Sequence, residues 1–231
     1  MTADHATPDA SGSTTDICIF PIPGCVTFPG TVFPLHVFEP RYRAMIQHCL
    51  DTGMPVAICH TEKMISPGKP TDNLEEALKS NQATYRPYDV VSAGRCELVE
   101  ISDDGRMYLN VHIEQRYHLG EAVQLLPYQI YQCEAFPDRE AEDAEQEDAD
   151  NAQLKDKILH RLYALGQGDE DVQRSINYLM ESPEWQAKTA QAFSFELFGM
   201  IAFDADILQE ILEMDSANER LNYTLALLND V

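Results

Sequence analysis

The sequence contains no long apolar run and few basic residues. No stretch approaches the roughly 18 to 20 consecutive apolar residues that a membrane-spanning helix needs, and the first 16 residues have neither the basic nor the apolar region of a secretory signal. Lysine and arginine number 16 against 39 aspartates and glutamates, giving a formal net charge of −23. That charge repels phosphate backbones. We therefore expect a cytoplasmic protein that binds neither nucleic acid nor membranes.

The cysteines lack the spacing of a metal site. None of the six forms a C-x-x-C pair, and several lie in apolar runs such as ICIF and PVAICH. Without a secretion signal, they are expected to be reduced thiols packed as small apolar side chains, with no metal and no cofactor. The six are Cys18, Cys25, Cys49, Cys59, Cys96 and Cys133.

The chain changes character near its middle. Residues 1–16 are polar and small, which predicts a disordered tail, whereas 17–136 indicates short strands and 152–231 indicates helices. Between them, residues 137–151 carry eight carboxylates against the single charge of Arg139. We expect this acidic linker to be solvated and extended, fraying at most into the next helix. The pattern predicts an α+β protein with a strand-rich and a helical part.

The strand-rich part has a clear hairpin signal. In RMYLNVHI, large apolar residues alternate with polar ones from Met107 to Ile113, which predicts a strand with one buried face. The turn sequence DDG precedes it, and RCELVEI lies on the other side. YQIYQCEAF and PVAICH predict further strands. Several short strands without regular intervening helices favour a compact barrel or a sandwich.

One early helix is predicted from Pro40 to about Thr52. Proline suits the first helical turn, and Glu39 beside it favours the positive end of the helix dipole. An apolar stripe runs from Tyr42 to Leu50, and Gly53 supplies a stop.

The helical part shows repeated start and stop signals. A stripe from Leu154 ends at Gly166, a second helix is expected over Asp171 to Glu181, and Ser182-Pro183-Glu184 predicts a third that runs towards Gly199. Asp204 is a candidate cap for a fourth helix, and Ser216 with Glu219 forms a capping box for the last. Four or five helices would make a small bundle.

The segment Ile19 to Leu50 resembles the opening of the Lon protease N-terminal domain, the substrate-binding module of that ATP-dependent protease. The family pattern is an apolar strand, then F-P-G, then P-L-x-V/I-F-E-P-R-Y before a helix. A weaker match places Arg116 and Tyr117 at the end of a G-x-x-R-F signature, with Ile113 where glycine is expected. FSFELFGMIAFDADILQEILEMDSANERLNYTLALL, which includes Glu219-Arg220-Leu221, resembles the helical tail. The motif residues are Phe28, Pro29, Gly30, Pro34, Leu35, His36, Phe38, Glu39, Pro40, Arg41, Tyr42 and Arg116.

This resemblance implies a PUA-like antiparallel β-barrel with a first-motif helix, followed by a C-terminal helical bundle. It also implies a bacterial stand-alone Lon-domain protein in which the motif residues are structural. The sequence has no G-x-x-x-x-G-K-[ST] phosphate loop and leaves no room for a Ser-Lys peptidase domain. We therefore expect neither ATP hydrolysis nor peptide cleavage.

The sequence gives little support for a catalytic role of any candidate group. His48 and Cys49 are adjacent on a helix, where neighbours do not face one another. His112 and His118 are too far apart along a strand to share a metal without a third ligand. Paired carboxylates such as Glu75 with Glu76 fall where they would cap and solubilise. No catalytic residue is predicted.

The leading hypothesis is a non-enzymatic module that binds unfolded or partner protein segments in a groove between barrel and helices, with an exposed sheet edge as a further option. One alternative is a small-molecule sensor or enzyme that uses a barrel pocket near His36 or Arg116. Another is an adaptor whose acidic linker, Asp138 to Asp150, docks on a basic partner. The sequence makes no prediction of the oligomeric state.

Overall fold

A computed structural model of the chain describes residues 14–66 and 84–230. Within these ranges the fold is α+β, with a six-stranded sheet, a separate two-stranded sheet and seven α-helices. Most of the predicted disordered tail and the pair Glu75 and Glu76 lie outside the described residues. The tail prediction was too long at its end, because residues 14–16 pair with a neighbouring strand.

The strands occupy the first part of the chain, as the sequence predicts. One helix, α1, interrupts them. The bounds are β1 (Thr14–Pro21), β2 (Val32–Val37), α1 (Pro40–Thr52), β3 (Val56–Cys59), β4 (Thr61–Ser66), β5 (Thr84–Pro87), β6 (Val90–Ile101), β7 (Met107–Gln124) and β8 (Gln129–Ala135).

The main sheet has the order β2-β7-β6-β3-β1-β8, and β7 also pairs with β8. Because β7 pairs with both β6 and β8, the five strands β7, β6, β3, β1 and β8 form a closed circuit of pairings. The resemblance implied an antiparallel sheet. The sheet is instead mixed, because β1 and β3 pair in parallel. The long connection through β2 and α1 makes this crossover feasible. Within the described ranges β2 pairs only with β7, so Pro34 lies on an edge strand where its missing N–H is tolerated.

The sheet buries both of its faces. On β1, Cys18 and Phe20 join a cluster with α1, whereas Ile17 and Ile19 join a second cluster on the opposite face. This explains the continuous apolar run ICIF, since a strand buried on both sides has no polar alternation. The predicted alternation in β7 is confirmed: its apolar residues from Met107 to Ile113 are buried in the first cluster.

A β-bulge in the long strand β7 changes the face of the sheet to which its following side chains point. Ile113 pairs with Gly94 of β6 and Gln115 pairs with Ala93, which leaves Glu114 as the extra residue. Beyond the bulge, Tyr117 faces the second apolar cluster instead of the first. The close backbone approach lies at Gly94 and not at Ile113, because a Cβ on Gly94 would lie 1.7 Å from the carbonyl oxygen of His112.

Helix α1 has the predicted bounds. Pro40 occupies its first turn, and Gly53 ends it in the left-handed conformation, with its N–H donating to the carbonyl of Cys49 at 2.9 Å. Its stripe of Tyr42, Met45, Ile46 and Cys49 is buried against the sheet. The helix therefore covers one face of the strands.

The second part of the chain is helical. Ser216 accepts a hydrogen bond from the N–H of Glu219 at 3.1 Å, so that predicted cap is confirmed. The bounds are α2 (Ala144–Leu165), α3 (Glu170–Glu181), α4 (Pro183–Ala187), α5 (Ala190–Glu196), a 3₁₀ turn (Leu197–Gly199), α6 (Ala205–Glu213) and α7 (Ala217–Asn229).

Three helix predictions need correction. The helix expected from Ser182 to Gly199 is broken after Ala187, because Thr189 caps a new helix by accepting from the N–H of Ala192. Ser182 and Asp204 make no capping hydrogen bond through their side chains. The acidic segment is helical from Ala144 onward instead of extended. Asp143 caps this helix, and acidic residues in the first turn suit its dipole.

None of the helices in the described ranges is both long and apolar enough to cross a lipid bilayer. The division into a sheet part (17–136), an acidic linker (137–151) and a helical part (152–231) remains a prediction. The helices have an apolar cluster of their own around Ile158, Trp185 and Phe193. A further cluster, around Phe28, Phe195 and Ile211, joins the helices to the sheet.

We predict that Gly94→Ala destabilises the protein by at least about 2 kcal/mol, because the new methyl group overlaps the backbone of the neighbouring strand. Urea unfolding followed by circular dichroism measures this. Gly199→Ala is the matched control, since no atom lies within 4 Å of its added Cβ, and it should change stability by less than about 0.5 kcal/mol. Equal effects of the two substitutions would contradict the strand contact.

Candidate functional site

The F-P-G motif lies where the sheet meets the helices. Phe28 is buried, and its ring centroid lies 5.8 Å from that of Phe195 on α5 and 5.2 Å from that of Phe198. These aromatic contacts are the centre of the apolar cluster between the two layers. On the sheet side, the side chain of Gln209 on α6 donates to the carbonyl of Val90 at 3.0 Å.

Gly30 makes a turn that only glycine accommodates without strain. Its φ is 85°, in the left-handed region. Its N–H donates to the carbonyl of Ile113 at 2.9 Å, which fixes the turn to the middle of β7. A Cβ at this position would lie 2.9 Å from a carboxylate oxygen of Glu196 on α5. The turn is therefore in close contact with the helices.

A largely buried carboxylate is shared by two arginines next to this turn. Asp138 accepts from Arg116 of β7 at 2.6 Å, and from Arg220 of α7 through both oxygens at 2.8 and 2.6 Å. The side chains of Arg116 and Arg220 are 2 % and 0 % exposed, and that of Asp138 is 15 % exposed. Buried charges of this kind require pairing, because desolvation costs several kcal/mol per ion.

Backbone carbonyls stabilise the second positive charge. Arg116 donates to the carbonyls of Leu212 and Met214, both at 2.6 Å, and Arg220 donates to that of Met214 at 3.1 Å. These carbonyls lie at the C-terminal end of α6, which carries the negative end of the helix dipole. Nε of Arg220 donates to the hydroxyl of Ser194 at 2.9 Å.

Aromatic rings cover the guanidinium groups. Arg116 lies 4.2 Å from the ring centroid of Phe136, and Arg220 lies 3.9 Å from that of Phe195. Burial, followed by the charge of Arg220, lowers the pKa of Arg116 to about 10, while Asp138 acts in the opposite direction. Arg116 therefore remains protonated at neutral pH. We call Arg116, Asp138 and Arg220 the junction triad.

A cleft of about 310 Å³ opens beside the junction triad. We call it the junction cleft. Its apolar walls come from both layers, and glutamine and glutamate side chains line it as well. Glu196 at its edge is ion-paired with Lys188 at 2.7 Å. The residues that line it are Pro29, Gly30, Glu114, Gln115, Arg116, Ala135, Phe136, Pro137, Gln191, Ala192, Phe195 and Glu196.

The second half of the family motif lies elsewhere. Leu35, His36, Phe38, Glu39, Arg41 and Tyr42 line a cleft of about 260 Å³ on the sheet, which we call the sheet cleft. Glu39 and Arg41 form a buried ion pair at 3.1 Å, and Tyr42 stacks on Phe20 at 4.2 Å. Pro34 and Pro40 do not line this cleft: Pro34 lies within the edge strand β2, and Pro40 begins α1.

The structure separates the candidate nucleophile from its candidate base. The ring of His48 hydrogen-bonds the hydroxyl of Tyr128 at 2.7 Å. A hydrogen bond to Cys18 and burial raise the pKa of the Cys49 thiol. A protonated thiol is a poor nucleophile.

The remaining candidates also have separate partners. His112 contacts Glu97 at 2.8 Å, whereas His118 packs on Phe136 at 4.2 Å. All six cysteines are free thiols. In the described ranges, no three His, Cys, Asp or Glu side chains are grouped so that they could hold a metal ion.

Comparison with known proteins identifies the family. The family model of the ATP-dependent protease La (LON) substrate-binding domain matches residues 16–230. The chain belongs to this family. The resemblance drawn from the F-P-G and P-L-x-V/I-F-E-P-R-Y segments is thus confirmed.

Two solved members of this family have the same fold. A Lon N-terminal domain protein from Xanthomonas campestris is 18% identical, with a TM-score of 0.56 over 92% of this chain and 98% of that one. The N-terminal domain of the Mycobacterium avium complex Lon protease is 17% identical, with a TM-score of 0.59 over 94% and 99%.

The sequence pattern named Phe28, Gly30, Arg116 and Arg220 as family-motif residues, but it did not identify Asp138 or its pairing with the two arginines. Asp138 is the first of eight carboxylates in an acidic run, and nothing local distinguishes it from the exposed ones. Its burial also changes the adaptor hypothesis, because deletion of Asp138 to Asp150 would remove a structural ion pair together with the acidic surface.

We predict that Arg220→Met lowers the free energy of unfolding by about 3 to 5 kcal/mol, because it breaks a largely buried ion pair and removes two of the three hydrogen bonds that Asp138 accepts from arginines. Chemical denaturation measures the change. Arg139→Met is the matched control: its ion pair with Asp215 at 3.0 Å is about half exposed on both sides, so the loss should be below about 1 kcal/mol. A small effect at both positions would show that the triad contributes little.

Proposed function

We propose that this chain is a non-enzymatic recognition module that binds segments of unfolded or partner proteins in the junction cleft. The observation that carries the proposal is the composition of that cleft, which is built from the family's F-P-G turn and from α5. The description of the matched family, a substrate-binding domain, supports the same class of ligand. The sequence lacks a phosphate loop, which supports a function without ATP hydrolysis.

The chemistry of the junction cleft suits a polypeptide. Phe136 and Phe195 offer apolar surface for a side chain, and Gln115 and Gln191 each carry a donor and an acceptor in reach of a peptide backbone. Its volume is at the lower end of the roughly 300 to 1,000 Å³ that ligand sites span. It would therefore hold one or two side chains of a longer segment, with the rest of that segment on the surrounding surface.

The edge of β2 offers a neighbouring surface for an extended segment. This strand follows directly after the F-P-G turn and pairs on one side only within the described ranges. Main-chain hydrogen bonds to such an edge add affinity independently of sequence. A segment anchored in the junction cleft could therefore continue as an added strand.

We predict that Ala192→Trp, which fills the junction cleft, weakens binding of an unfolded polypeptide about tenfold or more. Fluorescence anisotropy of a labelled, reduced and alkylated model protein measures the dissociation constant. Ala164→Trp is the matched control, because Ala164 is an exposed position on α2 outside the cleft. Urea unfolding of both variants verifies that each is folded.

Two results would contradict the proposal. One is the absence of saturable binding by the unmodified protein. The other is equal affinity of both tryptophan variants, which would place the binding surface elsewhere. A polypeptide of the same length with its apolar residues replaced by serine should bind at least about tenfold more weakly, since it offers no side chain to pack on Phe136 and Phe195.

A small-molecule sensor or an enzyme is the second candidate, and the sheet cleft favours it. Its ion pair of Glu39 and Arg41 is buried beside aromatic rings, an arrangement typical of sites with convergent polar groups. Native mass spectrometry of freshly purified protein tests this reading. A bound ligand that is retained by the unmodified protein and lost in Tyr42→Ala would support it. A measured mass equal to that of the polypeptide alone would favour the polypeptide proposal.

A further inference from the structure

A second apolar cleft lies among the helices, away from the junction cleft. It has a volume of about 550 Å³ and is formed by α2, α3, α7 and residues 200–203. We call it the helical cleft. Its floor includes Leu162, Ile176 and Leu228, which belong to the apolar cluster of the helices. The floor is thus continuous with the folded core.

The rim of the helical cleft exposes large apolar side chains to water. Leu165, Val172 and Met200 are 38 %, 43 % and 44 % exposed, although all three line the cleft. Scattered exposed apolar residues need no explanation, but a group of them around a concave surface is typical of an interaction site. The few polar side chains that line the cleft include Asp171 and Ser175.

Gly166 keeps the helical cleft open at the end of α2. A Cβ at this position would lie 2.7 Å from Cδ1 of Ile176 and 2.8 Å from Cγ1 of Val172. Any larger residue would push α2 and α3 apart or fill the space between them. The shape of the cleft therefore depends on a residue without a side chain.

The surroundings of the helical cleft are acidic. Within two residues of its lining positions the sequence has six carboxylates and only two arginines. Both arginines are engaged: Arg174 pairs with Asp171 at 3.0 Å, and Arg161 donates to the carbonyl of Leu228 at 2.9 Å. The six carboxylates belong to Asp169, Glu170, Asp171, Glu181, Asp204 and Asp230.

We propose that the helical cleft docks a basic, apolar segment of a partner protein. Apolar side chains of the segment enter between Val172 and Met200, and its lysines or arginines face Glu170 and the neighbouring carboxylates. Charge complementarity selects this partner, because the carboxylates around the cleft repel fatty acids, anionic lipid surfaces and acidic segments alike. The site is independent of the junction cleft, so either proposal can fail alone.

The test uses two synthetic peptides of about 18 residues with the same leucine pattern, one with lysine and one with glutamate at the polar positions. We expect saturable binding of the leucine-lysine peptide in fluorescence anisotropy. Binding should weaken about tenfold in Val172→Gln/Met200→Gln, because the apolar rim is lost. It should also weaken in Glu170→Gln/Asp171→Asn and on raising the salt from about 50 mM to about 500 mM.

The matched control is Val123→Gln/Leu126→Gln, which removes two apolar side chains near the β7–β8 turn that are more exposed than Val172 and Met200. This variant should bind the leucine-lysine peptide like the unmodified protein. Unchanged binding in the cleft variant would overturn the proposal, because it would indicate attraction to the acidic surface in general. Equal binding of the leucine-glutamate peptide would also overturn it. So would a concentration-dependent dimer in sedimentation that Val172→Gln/Met200→Gln abolishes, since a second copy would then be the occupant.

Discussion

The carboxylate of Asp138, shared by Arg116 and Arg220, is the interaction on which the rest of the structure depends. It joins a strand of the sheet, the segment after β8 and the first turns of α7. One carboxylate neutralises only one of the two cations. The other positive charge is stabilised by the C-terminal carbonyls of α6 and by the faces of Phe136 and Phe195. Removal of Asp138 would leave two buried guanidinium groups without a counter-ion, whereas removal of either arginine would leave the carboxylate with a single partner.

The junction triad also explains where the candidate binding site lies. Because Arg116 is anchored to Asp138 and to α6, β7 is held against the helices at the bulge of Glu114. The F-P-G turn contacts α5 through Phe28 and Gly30. The surfaces of sheet and helices therefore meet along a filled core, and the junction cleft lies open beside it. Phe28, Phe195 and Ile211 fill the space between sheet and helices next to this cleft.

Local signals predicted local structure well. Pro40, the apolar stripe after it and Gly53 determine the bounds of α1, and Ser216 with Glu219 determines the start of α7, since each signal acts within one or two turns of helix. The parallel pairing of β1 with β3 was not predictable in this way, because it depends on a crossover of more distant residues. The break before Thr189 was missed because Ser182 has the stronger capping pattern in the sequence but makes no capping bond.

The candidate site was predicted only in part, for a related reason. The F-P-G turn and Arg116 could be named from the family pattern. Asp138 could not, because its partners lie 22 residues before it and 82 residues after it. The sequence shows a run of carboxylates of similar local context. Only the folded structure shows that Asp138 is the one that pairs with the two distant arginines. The apolar rim of the helical cleft was equally hidden, since Val172 and Met200 come together only when α3 packs beside residues 200–203.

We infer that the junction triad makes sheet and helices a single cooperative unit. The chain carries natural probes for this: all six cysteines lie in or beside the strands and α1, and its single tryptophan, Trp185, lies in the helical core. Pulsed thiol alkylation and Trp185 fluorescence should be measured on the same samples across a urea series. We expect the two signals to have the same urea midpoint in the unmodified protein and different midpoints in Asp138→Asn. Loss of the Trp185 signal well before thiol exposure in the unmodified protein would contradict it.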